Sequence, residues 1–215
     1  MFGKIFDPQN TFWHWVGKVP AFLGLSLLWA VLCLPVITIV PSTIALFDAV
    51  TRNIRGDQPG IFSRFFHTFR NEFKRGIVLS LIWLVIAAIF GFGFIYLDAA
   101  SRIDTSLENV LSGYTVLMVI PTAIFVWMVA LESRFVYSLG QLLKNALMFA
   151  LGYLKETLLI IIFFSVCIIA CVFYIPLIFF IPATMMLLIS FPVESVFKTL
   201  TNEAEEDVEA IEEAE

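Results

Sequence analysis

Side chains that commonly carry out chemistry are sparse in this sequence. Cys167 and Cys171 lie four residues apart, so a helix would place both thiols on one side. Two thiolates are half of the four ligands that a structural zinc ion usually takes. The two histidines, His14 and His67, fall on opposite membrane faces in the topology that follows, so they cannot share a metal ion or a proton. We therefore predict no catalytic residue, no metal site and no cofactor, and we expect a protein that is not an enzyme.

Hydroxyl groups beside prolines are the remaining polar candidates. Of the prolines in or near apolar segments, three have such a hydroxyl neighbour: Pro41, Pro121 and Pro182. A hydroxyl residue follows each within two positions: Thr43, Thr122 and Thr184. Such hydroxyls can satisfy backbone carbonyls that a proline leaves free, which is a structural role. The alternative is that the three proline breaks converge to line a path for a sugar or an ion.

Composition places the chain in the membrane class. Hydrophobic residues make up 60% of it and charged residues 14%, with a mean hydropathy of +0.93. Five apolar runs are long enough, or nearly so, to cross the hydrocarbon core. They are residues 19–40, 77–97, 113–131, 157–174 and 176–193. We predict an all-α polytopic bundle of about five spans. The first run stays apolar to Val50, so a kinked or re-entrant segment there remains an open alternative.

Basic residues orient the predicted spans, because short loops rich in Lys and Arg stay in the cytoplasm. Residues 48–76 carry six of them, whereas residues 98–112 carry only Arg102. The first loop is therefore expected inside and the second outside. Five spans then put the N-terminus outside and the C-terminal tail inside. A re-entrant first segment would reverse only the N-terminal side.

An aromatic and basic segment occupies residues 62–75 of the cytoplasmic loop. Five phenylalanines share one face of a predicted helix: Phe62, Phe65, Phe66, Phe69 and Phe73. Four cations accompany them: Arg64, Arg70, Lys74 and Arg75. This pattern is typical of an amphipathic helix at a membrane interface, and the bilayer is its expected partner. The same face could instead dock on another protein.

Weak self-similarity at an offset of 80 residues predicts an internal repeat. Pro41 aligns with Pro121, and Arg64 aligns with Lys144. The predicted organisation is a transmembrane domain over residues 1–200, with units at about 19–97 and 113–174 and a further span at 176–193. Residues 201–215 carry eight acidic and no basic residues, so we expect a disordered cytoplasmic tail.

Residues 34–76 resemble the YesL-like family of bacterial integral membrane proteins, a family of unknown function. The resemblance rests on a Leu-Pro-x-x-Thr turn, a second proline with a hydroxylated residue after it, and an aromatic Phe-x-x-x-Phe-Lys helix. The matching residues are Leu34, Pro35, Thr38, Pro41, Thr43, Arg52, Phe69, Phe73 and Lys74. The resemblance implies a small protein of the bacterial cytoplasmic membrane, often encoded beside carbohydrate transport and utilisation genes. It supplies no catalytic residues.

Two functions remain in view at this point. The first is an accessory or regulatory component of carbohydrate uptake or utilisation, with a carbohydrate transporter or another membrane protein as its partner. The second is a small transporter or channel with its site at the proline-broken helices. We expect no nucleic-acid partner, and the sequence does not define an oligomeric state.

Overall fold

The computed structural model describes residues 11–56 and 58–212, and every regular element within those ranges is helical. The helices are α1 (Thr11–Leu32), α2 (Ile39–Ala49), α3 (Ile61–Ser101), α4 (Glu108–Leu117), α5 (Val119–Glu132), α6 (Leu139–Gly152), α7 (Leu154–Phe173) and α8 (Ile181–Glu212). Four segments are long and apolar enough to cross a membrane: Ile61–Ser101, Thr105–Glu132, Leu154–Cys171 and Ile181–Asn202. The apolar helix Lys18–Leu32 is shorter. The chain is therefore an all-helical, polytopic membrane protein.

The first predicted span, residues 19–40, is not one continuous helix. Helix α1 ends at Leu32, and a 3₁₀ turn at Val36–Thr38 leads into α2. Pro35 has extended backbone angles, and a proline restricts the residue before it to extended conformations as well. The Thr38 hydroxyl donates to the carbonyls of Leu32 and Pro35 and so closes the turn. The open alternative of a kinked or re-entrant segment describes this region better than a simple span.

Helices α1 and α2 form an antiparallel hairpin. Trp29 Nε1 donates to Thr43 Oγ1 at 3.2 Å near the turn, and Lys18 Nζ donates to the Ile54 carbonyl at 2.6 Å at the far end. Both pairs are symmetric about Val36, as an antiparallel hairpin requires. Helix α2 and the π-helical turn Val50–Arg55 thus return the chain to the level of Lys18 in α1.

Helix α3 unites two elements that the sequence pattern separates. It runs for 41 residues without interruption, about 60 Å at 1.5 Å per residue. That is about twice the hydrocarbon thickness of a bilayer. The amphipathic segment 62–75 is thus the first part of a helix that continues into the apolar run 77–97. It is not a separate interfacial helix.

The chain divides into two compact units, of which the first comprises Met1–Leu81 and Cys167–Leu187. Its centre is α2, whose residues from Val40 to Ala49 are all buried. Leu25 of α1 and both Phe65 and Leu79 of α3 contribute side chains with no exposed surface. Because α2 is covered on every side, this unit is built around a short helix that has no lipid-facing surface.

The second unit comprises Ile82–Val166 and Leu188–Glu215. Its core residue is Trp127 of α5, which is fully buried and donates to Thr157 Oγ1 at 3.0 Å. Tyr114 of α4 donates to the Phe90 carbonyl at 3.0 Å, which joins α4 to the second half of α3. Arg134 pairs with Glu194 of α8. These bonds connect each of the unit's long elements to a neighbour.

The acidic tail departs from its prediction. Helix α8 continues through residues 201–212, and residues 213–215 lie outside the described ranges. Alanine and glutamate are strong helix formers, and the preceding apolar part of α8 supplies a nucleus, so propagation costs little. The predicted two-span repeat stays a prediction, although α2 and α5 both pack against the helix that follows them.

Candidate functional site

A buried carboxylate links α2 to α3. Asp48, near the end of α2, is 3% exposed. Its Oδ2 accepts a hydrogen bond from Arg64 Nε at 2.7 Å and another from Thr68 Oγ1 at 2.7 Å. Its Oδ1 accepts one from Arg52 Nε at 2.8 Å. Both oxygens of Asp48 are therefore occupied by donors, and we call these four residues the Asp48 cluster.

The local sequence explains the Asp48 cluster. Arg52 follows Asp48 by four residues, which is one helical turn and a favourable spacing for an ion pair. Arg64 and Thr68 have the same spacing on α3, so both reach the same carboxylate. Although Asp48 lies near the end of α2, the structure buries it. The available signal was a lone acidic residue in an apolar run with an arginine four positions later.

The Asp48 cluster also fixes the rotation of α3 about its axis. Arg64 points inward to Asp48, and its side chain is 35% exposed. Phe65 points inward as well and is fully buried, with Phe69 half-buried and stacked on it. The inward face of α3 thus mixes aromatic and polar groups, because the buried carboxylate of α2 requires charged partners.

The other three phenylalanines remain accessible. Phe62, Phe66 and Phe73 are 43%, 51% and 37% exposed. Phe62 lies against α1, since a methyl group on Gly24 would come within 2.6 Å of its ring. Arg70 and Lys74 are exposed beside Phe66 and Phe73, and Arg75 is half-buried. The nine predicted interface residues are therefore divided between the interior of the first unit and its surface.

The three prolines with hydroxyl neighbours lie in the first turns of their helices and do not interrupt them. Pro41 and Pro121 occupy the third positions of α2 and α5, and Pro182 occupies the second position of α8. Backbone N–H groups in the first turn have no partner within their own helix, so a proline costs little there. Each neighbouring hydroxyl donates to the carbonyl four residues before itself: Thr43 to Ile39, Thr122 to Met118 and Thr184 to Phe180. The hydroxyls therefore bond to carbonyls at or just before the first residue of their helices, and not to the carbonyl four residues before each proline, which is the one that the proline leaves free.

Serines from neighbouring helices satisfy first-turn amides beside two of these prolines. The Val40 N–H donates to Ser80 Oγ of α3 at 3.1 Å, and the Ala183 N–H donates to Ser26 Oγ of α1 at 3.2 Å. All four residues are buried. These interhelical caps join α2 to α3 and α8 to α1. The sequence alone does not predict the partners of these two serines.

The Leu34, Pro35 and Thr38 positions form the hairpin turn. Leu34 is 78% exposed, whereas Thr38 is buried and bonded to the end of α1. These residues serve the chain reversal. Among the residues that the structure describes, no group of three potential metal ligands comes together.

Comparison with known proteins finds one family model that matches much of the α1–α2 hairpin and of α3. Residues 22–94 match a family model described as "Protein of unknown function, DUF624". The match covers about a third of the chain. It begins in α1, includes all of α2 with the Asp48 cluster, and ends within α3. No curated protein and no solved structure matches the chain.

Proposed function

We propose that this protein is an accessory or regulatory subunit in the bacterial cytoplasmic membrane, associated with carbohydrate uptake or utilisation. The bacterial and carbohydrate parts of the proposal rest on the resemblance of residues 34–76 to the YesL-like family. The match of residues 22–94 to a family of unknown function covers that segment and is compatible with the proposal.

The observation that carries the proposal is the complete occupation of Asp48. A carboxylate that couples proton or cation movement must exchange its partner during transport. Asp48 has Arg52, Arg64 and Thr68 as donors, and two of these lie on a different helix. The threonine hydroxyls beside the prolines also donate to backbone carbonyls. This arrangement supports a scaffold role more than a moving ion-coupling site.

The hairpin also supports a revised orientation. Because Lys18 bonds to Ile54, the start of the apolar part of α1 lies at the same end as the basic loop that follows α2. Positive charge holds that loop in the cytoplasm. We therefore place the N-terminal side of α1 in the cytoplasm, opposite to the side expected from five spans. Four crossings after the hairpin keep the C-terminal tail inside.

The proposal is tested by purifying the tagged protein from its native membrane in mild detergent. We expect a carbohydrate-transport subunit to co-purify at a fixed molar ratio, and deletion of the gene to reduce uptake of the corresponding sugar. The isolated protein in sealed liposomes should give no sugar flux. Recovery of lipid alone, together with unchanged uptake in the deletion strain, would contradict an accessory role.

A transporter or channel is the second candidate, and Ser42 favours it. Ser42 lies on the buried helix α2, has no exposed surface, and its Oγ lies beside the Cys33 thiol with no nitrogen or oxygen partner within the described residues. Broken helices within the membrane form the substrate sites of many transporters. Liposome flux that is abolished by Ser42→Ala but retained in Ser112→Ala, a change of an exposed serine on α4, would establish this function.

A further inference from the structure

One exposed face of α3 combines aromatic and basic residues just before its apolar part. Phe66 and Phe73 are 51% and 37% exposed, and Arg70 and Lys74 are also exposed. At 100° per residue, these four side chains span an arc of about 100° around the helix. We call them the aromatic–basic face.

The two cations of the aromatic–basic face, Arg70 and Lys74, have no polar partner within the described part of the chain. Arg52 and Arg64, by contrast, both form ion pairs with Asp48. Neither Arg70 nor Lys74 forms an ion pair or hydrogen bond with another described residue. Two neighbouring cations, four residues apart on one helix, repel each other unless an anion lies between them. Their placement therefore favours an external negatively charged group.

Helical register shows which way the aromatic–basic face points. Eleven residues are about three turns, so side chains eleven positions apart lie on the same side of an α-helix. Arg70, Phe73 and Lys74 are followed at that spacing by Leu81, Leu84 and Val85. These three apolar side chains are 51%, 41% and 57% exposed. The face that carries Arg70 and Lys74 thus continues into an apolar surface that suits lipid.

Distance along the helix places the cations near the headgroups. Lys74 precedes the apolar run at Ile77 by three residues, about 5 Å, and Arg70 precedes it by about 10 Å. The headgroup region adds roughly 5–8 Å on each side of the hydrocarbon core. Long basic side chains extend along the helix surface to reach such a layer, and aromatic rings favour the same boundary.

We propose that the aromatic–basic face binds the phosphate headgroups of anionic phospholipids in the leaflet that borders the basic loop. Arg70 supplies paired N–H donors to phosphate oxygens, and Lys74 adds a second positive charge one turn away. The Phe73 ring, about 6 Å before Ile77, lies near the boundary with the upper acyl chains. The proposal rests on insertion of α3 into a membrane and does not depend on the accessory function.

The test uses the full chain in detergent, with lipids titrated and bound molecules counted by native mass spectrometry. The probes are phosphatidylglycerol and phosphatidylcholine. We expect the wild type to prefer phosphatidylglycerol. Replacing both cations, Arg70→Gln with Lys74→Gln, should weaken phosphatidylglycerol binding about 25-fold, roughly fivefold for each charge, and leave phosphatidylcholine binding unchanged.

The control removes two exposed cations elsewhere, Lys144→Gln with Lys155→Gln. It has the same net charge as the test variant, so preserved phosphatidylglycerol preference in the control assigns binding to the aromatic–basic face. Equal losses in both variants, or no loss in the test variant, would overturn the proposal. If the glutamine variant does not fold, Arg70→Lys with Lys74→Arg keeps both charges and should retain the preference. Competition by excess inorganic phosphate would identify a soluble anion as the ligand and would also overturn it.

Discussion

Asp48 Oδ2 lies 2.7 Å from Arg64 Nε, so a buried carboxylate of α2 is joined to a cation of α3 sixteen residues later. This single pair connects the α1–α2 hairpin to the long helix and turns part of the segment 62–75 toward the interior of the first unit. Because Thr68 and Arg52 share the same carboxylate, the connection involves three donors.

Replacing Asp48→Asn should destabilise the first unit by about 2 kcal/mol. Loss of one partner of a buried ion pair costs several kcal/mol, and the partial exposure of Arg64 and Arg52 reduces that cost through solvent screening. The measurement is thermal unfolding of the purified protein in detergent. Asp98→Asn is the matched control, since its pair with Arg102 is exposed and should contribute less than about 0.5 kcal/mol. Equal shifts in the two variants would show that the Asp48 cluster has no special role.

Gly76 should not tolerate alanine. A Cβ at this position would lie 2.7 Å from Pro41 Cβ and 2.8 Å from Pro41 Cδ, and a proline ring cannot rotate away. We expect Gly76→Ala to cost roughly 1–3 kcal/mol through overpacking between α2 and α3. Gly91→Ala lies on the same helix with no atom within 4 Å, so it should be neutral or slightly stabilising. Thermal unfolding of both variants checks this, and an unaffected Gly76→Ala would exclude close α2–α3 packing.

The interhelical hydrogen bonds of Ser80 and Ser26 predict a loss of stability when either hydroxyl is removed. In Ser80→Ala the buried Val40 N–H loses its acceptor, and in Ser26→Ala the same happens to the Ala183 N–H. An unsatisfied buried donor costs about 1–3 kcal/mol. The exposed Ser112 of α4, which bonds only to the Glu108 carbonyl in its own helix, provides the control. Its alanine variant should retain the wild-type unfolding temperature, and a similar loss in all three would argue against interhelical capping.

The hairpin predicts where the start of α1 lies relative to the membrane. A single cysteine introduced at Lys18, in a background without the three native cysteines, should be protected from a membrane-impermeant maleimide in intact cells. A cysteine introduced at exposed Ile103, in the loop expected outside, should react. Labelling at both positions would show that the N-terminal side of α1 lies outside, as the five-span topology predicts.

Much of the architecture follows from the sequence because hydrophobic length alone identifies apolar helices. The runs at 77–97, 113–131 and 157–174 all coincide with helices that are long enough to cross a membrane. Local signals do not decide whether the first run crosses or reverses, since both outcomes require apolar residues. The reversal depends on bonds such as Trp29 to Thr43, which join positions fourteen residues apart.

The candidate site was less accessible to sequence reasoning. Periodicity identified the aromatic and basic residues of 62–75, but it did not show that Arg64 and Phe65 face the interior. A helical pattern gives relative positions around an axis, whereas the choice of the inward face depends on the partner helix. Here that partner is α2. Its Asp48 accepts a hydrogen bond from Arg64, and the neighbouring Phe65 is buried, so the inward side of α3 carries both a polar and an aromatic residue.

The complete burial of α2 has a consequence for how the protein is made. A helix covered on every side gains its stability only when its covering partners exist, and the contacts of α2 include Ser80 and Gly76 on the following helix. The hairpin can therefore reach this buried arrangement only after the first half of α3 has been synthesised, and a nascent chain that stops before residue 61 lacks these contacts.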